Sequence, residues 1–188
     1  MSEQAVSALP GAEATGVVTV REMGLQGMVS LRGDLAALGT VVMRLTGAEM
    51  PAVRAMTKGR GIQVAWMSPD ELLILCDHGA ADTLVADLTQ AFEGQHHLAL
   101  NLSDARAMFG LSGNASTLRD VLAKVTPADI SALHPGEMRR TRIQQVAGAI
   151  WFETETEARV ICFRSVAQYM FDLFTVSAKD GGAVGFNR

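Results

Sequence analysis

The sequence predicts an α+β protein of two related ferredoxin-like halves, each a split βαβ unit, packed together. Three observations predict it. Short apolar runs alternate with amphipathic helical stretches along most of the chain. The order strand, helix, strand, strand, helix occurs twice. A chain of 188 residues, 48% hydrophobic and 19% charged, can bury one large core or two small ones.

Residues 1–16 are small, polar and aperiodic, and are expected to form a flexible tail. Val17–Met23 alternates and reads as a short strand; Met28–Arg32 reads as a second after a turn at Gly24–Gly27. Asp34 is placed to cap a helix, because its carboxylate can accept the orphan N–H groups of the first turn. Leu35, Leu38, Val41, Val42 and Leu45 follow at helical spacing, closed by Gly47 and Pro51. Lys58-Gly59-Arg60-Gly61 reads as a flexible basic loop; a phosphate cradle would need a strand before it and a helix after it.

Ile62–Trp66 and Leu72–Cys76 then form a hairpin about Ser68-Pro69-Asp70. Proline presets φ there, and the Ser and Asp side chains can bond back to the turn. Ala80–Phe92 is an amphipathic helix with Leu84, Val85, Leu88, Ala91 and Phe92 on one face, and His97–Leu102 returns as a strand. Arg106–Leu111 opens the second half, followed by a helix capped by Asn114 and carrying Leu118, Val121, Leu122 and Val125. Pro127 and His134-Pro135-Gly136 mark an irregular connection. Arg142–Val146, Ala149–Phe152 and Arg159–Phe163 read as a meander with turns at Ala147-Gly148 and Glu153–Glu157. Ser165 and Gln168 fit a capping box before a last helix bearing Val166, Tyr169, Met170, Leu173 and Phe174.

In the repeat, Met28 aligns with Met108, and Leu31, Gly33, Leu38, Val41 and Thr46 with Leu111, Gly113, Leu118, Val121 and Thr126. The caps Asp34 and Asn114 coincide, Gly61 aligns with Gly148, and Leu72–Cys76 aligns with Arg159–Phe163. The expected organisation is a tail over 1–16, one compact duplicated domain over 17–178 with halves at about 17–102 and 103–178, and a tail over 179–188.

Several function classes are excluded or disfavoured. A net charge of −4 with no long basic stripe argues against nucleic acid, and Arg139, Arg140 and Arg142 at period two fit an exposed strand edge. No apolar run is long enough for a membrane span, and Met1-Ser2-Glu3-Gln4 does not start a signal peptide, so a cytoplasmic location is expected. Cys76 and Cys162, each in an apolar run, read as free core thiols.

Cys76-Asp77-His78 is a poor nucleophile with its base, because strand neighbours point to opposite faces and Cys76 and His78 would stand a full pleat apart. His96-His97 diverge likewise and lack a third metal ligand. His134 is a loop histidine. Asp70-Glu71 are consecutive carboxylates, which seldom converge, and read as a solvated turn. Trp66 and Trp151 fall in corresponding hairpin arms, where core anchoring and partner contact are both open. No dinucleotide fingerprint and no Walker loop is present. The residues therefore assign no catalytic, cofactor-binding or metal-binding side chain to this chain.

Three segments carry a resemblance to a known family. Trp66-Met67-Ser68-Pro69-Asp70-Glu71-Leu72-Leu73 resembles the W-x-x-P-D-E-W/L-L hairpin of the γ subunit of heterotetrameric sarcosine oxidase. Leu102-Ser103-Asp104-Ala105-Arg106 with Leu111-Ser112-Gly113 resembles that family's D-x-S…L-x-G segment, and Ser165–Leu173 its closing helix. The family is similar in fold to the folate-binding part of the glycine-cleavage aminomethyltransferase, so the resemblance implies an aminomethyltransferase-like duplication. It also implies a non-catalytic structural subunit beside α, β and δ chains. The complex is an oxidoreductase acting on CH-NH donors with oxygen as acceptor. It demethylates sarcosine to glycine, forming hydrogen peroxide and methylenetetrahydrofolate. FAD, FMN, NAD, tetrahydrofolate and zinc are expected in the other subunits. Where aminomethyltransferases place an acidic residue at the folate, this chain offers Asp104, displaced relative to Ser103, or the neutral Asn101. A stand-alone folate-binding aminomethyltransferase-like protein, relying on Asp104 or Asp70, is the alternative.

Overall fold

The computed structural model of the chain describes residues 5–182 and 184–186. In chain order the first elements are β1 (Glu13–Thr15), β2 (Val18–Glu22), β3 (Gly27–Gly33), α1 (Leu35–Thr46), β4 (Met56–Gly59), β5 (Ile62–Ser68), β6 (Glu71–Cys76), α2 (Ala81–Ala91) and β7 (His97–Asn101). There follow β8 (Arg106–Gly113), α3 (Ala115–Ala123), β9 (Met138–Ile143), β10 (Val146–Thr154), β11 (Glu157–Phe163) and α4 (Ala167–Ser177). One compact unit is Gln26–Asp104; the other combines the chain before residue 26 with the chain from Ala105 onward.

The unit Gln26–Asp104 has a five-stranded antiparallel sheet in the order β4-β5-β6-β3-β7, the split βαβ arrangement with β4 added at one edge. Helix α1 starts because Asp34 Oδ1 accepts the Ala36 N–H at 3.1 Å. It stops at Gly47, whose φ of 72° suits the left-handed cap and whose N–H reaches the Met43 carbonyl at 2.8 Å. Leu38 and Val42 of α1, with Leu84, Leu88 and Phe92 of and after α2, meet Val29, Leu31, Val64, Leu72 and Ile74 in one core. The intervening residues Leu73 and Leu75 face the other way and are buried too. This is why β6 reads as a continuous apolar run rather than an alternating one.

The second unit has a six-stranded antiparallel sheet in the order β1-β2-β8-β11-β10-β9. Its plan is the same, with β8, β11, β10 and β9 in the places of β3, β6, β5 and β4. The place of β7 is taken by β2, from the other end of the chain. Asn114 Oδ1 accepts the Ser116 N–H at 3.1 Å and so caps α3 as Asp34 caps α1. Leu118, Val121, Met170 and Phe174 close over Val20, Phe109, Leu111, Ile150, Phe152 and Val160.

Five expectations differ from this structure. Val17–Met23 was assigned to the first half, yet β2 pairs with β8 of the second, because a split βαβ sheet needs a strand on the free side of its first strand. Within the expected tail 1–16, β1 pairs with β2 and Ala8 and Leu9 pack on the core; residues 1–4 lie outside the described residues. Lys58-Gly59 belong to β4, and only Arg60-Gly61, at φ 48° and 78°, form the turn of a two-residue hairpin. The first meander turn falls at Gln144-Gln145, not Ala147-Gly148. Gly148 lies inside β10, where an added Cβ would stand 2.7 Å from the Ile161 carbonyl oxygen, so its glycine reflects close approach and not a turn. The capping box does not form: a short 3-10 turn, Arg164–Val166, precedes α4, and Gln168 instead donates to Asp172 at 2.8 Å.

The strand pairing also shifts the repeat by one residue. Gly27 and Met28 lie opposite Cys76 and Leu75; Ala107 and Met108 lie opposite Cys162 and Ile161. With Met28 on Met108, Leu72–Cys76 therefore corresponds to Ala158–Cys162. Trp66 opposite Leu72 corresponds to Phe152 opposite Ala158, and Gly148 corresponds to Ile62. A one-residue slip reverses the face of a side chain, so Trp66 and Trp151 are not equivalents.

Candidate functional site

The polar residues singled out around the junction of the repeats do converge. The chain leaves β6 at Asp77, whose Oδ1 accepts the Gly79 N–H at 2.9 Å and starts the 3-10 turn His78–Ala80 before α2. It leaves β7 at Asn101 and passes through Ser103 to Asp104. His78 Nε2 lies 3.5 Å from Asp104 Oδ1. Asn101 Nδ2 donates to Asp82 Oδ1 at 2.7 Å, while Asn101 Oδ1 accepts both the Ser103 N–H at 2.9 Å and the Ser103 hydroxyl at 2.6 Å. The Ser103 hydroxyl in turn accepts the Met28 N–H at 3.0 Å.

Each polar side-chain atom of Asn101 is therefore engaged. Its amide is held by a carboxylate 19 residues earlier, and its carbonyl oxygen orders the start of the next segment. A carboxylate at 101 would face that of Asp82, so the neutral amide is the residue this arrangement needs. Asp82 was not found by sequence reasoning; an acidic residue in the first turn of a helix is accounted for by the helix dipole alone. Asp104 is mostly exposed, with His78 as an ionic neighbour.

The surroundings of Cys76 disfavour a nucleophilic thiolate. Its side chain packs with the core of its unit, and its Sγ stands where a Cβ on Gly27 would approach to 2.7 Å. Burial first, and the neighbouring Asp77 second, push its thiol above the ordinary value. Fewer thiolates form at neutral pH as a result.

The hairpin carboxylates also have defined partners. Ser68 Oγ donates to Asp70 Oδ1 at 2.5 Å, as the turn chemistry required. Glu71 is not a solvated turn residue: it is 7% exposed, accepting from Ser30 Oγ at 3.0 Å and Arg32 Nη2 at 2.8 Å. Arg32 Nη1 also lies 3.6 Å from Asp70 Oδ2, so one guanidinium spans both carboxylates. Arg32 stands beside Glu71 across the β3–β6 ladder, a neighbour that linear sequence does not show.

The remaining candidates stay apart. His97 Nδ1 is 2.9 Å from the Gln95 carbonyl oxygen, and its ring centroid is 5.6 Å from that of Phe92. His134 is exposed on the connection after α3. Arg139, Arg140 and Arg142 lie on β9, the edge of the six-stranded sheet. Trp151 is buried and donates Nε1–H to Glu153 Oε1 at 2.7 Å; Trp66 is half-buried. Among the described residues, no group of three or more His, Cys, Asp or Glu side chains could hold a metal ion, and no helix is long and apolar enough to cross a membrane.

Comparison with known proteins places this architecture. A chain of the heterotetrameric sarcosine oxidase from Corynebacterium sp. U-96, determined with pyrrole 2-carboxylate, is 25% identical, with a TM-score of 0.75 over 88% of this chain and 87% of that one. The glycine cleavage system aminomethyltransferase T from Bartonella henselae is 12% identical, with a TM-score of 0.66 over 89% of this chain. The chain spans about half of that protein, 48% of its length, and at this identity the likeness is one of fold. No curated protein sequence matches the chain significantly. The family model described as sarcosine oxidase, gamma subunit family, matches residues 32–179, taking in both hairpins and α1 through α4. The chain belongs to the sarcosine oxidase gamma subunit family.

Proposed function

We propose that the chain is the non-catalytic assembly subunit of a heterotetrameric sarcosine oxidase. The observation that carries this is the nearly end-to-end likeness to one chain of such a complex, 88% of this chain against 87% of that one. The side chains with the best chemical credentials bond to one another, and the Cys76 thiol is buried and raised. Its partners are the α, β and δ subunits, which hold FAD, FMN, NAD, tetrahydrofolate and zinc. The assembly works in the cytoplasm, where the two free thiols stay reduced. It oxidatively demethylates sarcosine to glycine, releasing hydrogen peroxide and forming methylenetetrahydrofolate.

The purified chain is expected to be colourless and to release no peroxide from sarcosine. Co-expressed with α, β and δ, it is expected to co-purify with the flavin absorbance. Sarcosine-dependent peroxide production by the isolated chain would overturn the non-catalytic role.

A further inference from the structure

The two sheets have four edges, and three of them are guarded. A strand edge presents unpaired N–H and C=O groups to any other strand, and proteins blunt it by shortness or charge. β1 is three residues long and carries Glu13, bound to Arg21 at 2.7 Å. β4 is four residues long and carries Lys58. β9 carries Arg139, Arg140 and Arg142. The fourth edge, β7, reads His97-Leu98-Ala99-Leu100-Asn101, with no proline and no Lys, Arg, Asp or Glu. Leu98 and Leu100 are 51% and 47% exposed on the sheet face away from the helices, while Ala99 packs on the core.

The backbone of this edge is also correctly turned. The Leu102 N–H bonds to the Met28 carbonyl at 2.7 Å. Alternation in an antiparallel ladder then aims the backbone of Leu100 and Leu98 at β3 and that of Ala99 outward. We propose that β7 is a docking strand of this subunit, and that an extended strand of a partner subunit of the complex pairs with it through the Ala99 backbone and covers Leu98 and Leu100. This rests on the assembly reading above. Strand addition draws affinity from main-chain bonds and specificity from alternate side chains, which is what this edge offers. A second copy is the weaker occupant: one β7 paired with another, five residues each, falls far short of the ~800 Å² per partner that a stable pair needs, whereas a subunit of the complex can add this strand to a larger contact.

The test uses the full chain co-expressed with α, β and δ. In wild type, deuterium exchange at the Ala99 amide is expected to slow at least ~10-fold on going from isolated chain to complex. The double variant Leu98→Lys/Leu100→Lys, exposed positions that leave the core untouched, is expected to lose about tenfold or more of its co-purification while keeping its thermal transition. Arg140→Ala on β9 should co-purify normally. An unprotected Ala99 amide in the complex, or full co-purification of the double variant, overturns the docking strand and leaves the assembly reading standing. A wild-type chain that binds no partner overturns both. An isolated chain that is dimeric by light scattering, and that the double variant renders monomeric, assigns the edge to a second copy and overturns the partner subunit as its occupant.

Discussion

In the unit Gln26–Asp104, Asp34 caps the first helix, Leu38 seats it on the sheet, and Cys76 lies opposite Gly27 at the far end of the central ladder. In the other unit Asn114, Leu118, and Cys162 opposite Ala107 take the same places. Both hairpins even carry an irregularity at matching positions, between Trp66 and Ser68 and between Phe152 and Thr154. Where the units part is at the margins. One closes its sheet with its own β7, the other with β2 from the start of the chain; one has an apolar edge, the other an arginine edge. Centres are fixed by packing, which tolerates little change, whereas edges and connections are free to take on separate duties.

The largest effects should come where the units agree. Leu38→Ala and Leu118→Ala each remove a side chain that is at most 1% exposed. Each should cost about 2–5 kcal/mol, the range for emptying such a site. Urea denaturation of the two variants tests the equivalence directly. A substitution that is nearly neutral in one unit and severe in the other would show that the repeat is one of chain order and not of packing.

The next effect separates them. With Leu38 on Leu118, the counterpart of Arg119 is Gly39. Arg119 donates Nη1–H to the carbonyls of Ile130 and Leu133, the latter at 3.0 Å, and lies 4.5 Å from the Phe152 ring centroid. It thereby ties α3 to the connection over 124–137 before β9, which is longer than its counterpart over 47–55 before β4. Its bond to Glu155 is half in water and contributes little. Arg119→Ala should cost about 2–3 kcal/mol, because two carbonyls lose a charged donor. Arg119→Lys should recover only part of that, since one ammonium cannot reproduce the planar fork. Thermal melts of the pair of variants would measure it; full rescue by lysine would leave only a charge effect.

A smaller effect is expected at Asn101. Asn101→Asp sets two carboxylates at a 2.7 Å contact on a partly exposed surface, worth about 1 kcal/mol at neutral pH. The loss relative to wild type should shrink as ionic strength is raised, because salt screens the repulsion. A loss that persists unchanged at high salt would point to the Ser103 bonds instead.

How much of this was legible follows from where each interaction lies in sequence. Local chemistry was readable: Asp34 and Asn114 as caps, Ser68-Pro69-Asp70 as a turn, and the helical faces of α1, α2 and α3 all stand as read. So was the family, because its hairpin and closing-helix motifs are contiguous. The errors came where one residue decides a face or where a partner is distant. Gly148 read as a turn because glycine has two uses, and only the approach of Ile161 tells them apart. Trp151 reads as the counterpart of Trp66 because both fall in corresponding hairpin arms, while the ladder register matches Trp66 with Phe152. Glu71 looked solvated because Arg32 lies 39 residues away, and Asn101 looked like a vacant acid because Asp82 was not in view. β2 was misassigned for the same reason: nothing in a strand's own residues says which sheet it joins.

The two cysteines give the finest comparison, since the ladder puts them at matched positions with unequal burial. Cys162 is fully buried, Cys76 only partly. Burial pushes the Cys162 thiol from the ordinary 9.0 up to about 12, against a small opposing pull from Arg106; Cys76 moves in the same direction. At neutral pH both are thiols in the folded and the unfolded chain, so the titration of neither affects stability there. As pH rises above 9.0 the unfolded chain gives up the Cys162 proton while the folded chain keeps it until about 12. Unfolding is therefore increasingly favoured across that window, and Cys162→Ser or Cys162→Ala should flatten the alkaline slope. In the native state an alkylating reagent should reach Cys76 first, and Cys162 only at the rate at which its unit opens. Peptide mapping of the labelled protein reads the order. Equal labelling rates would mean that the second unit opens at β11 as readily as the first does at β6, and that the matched positions differ in less than their burial.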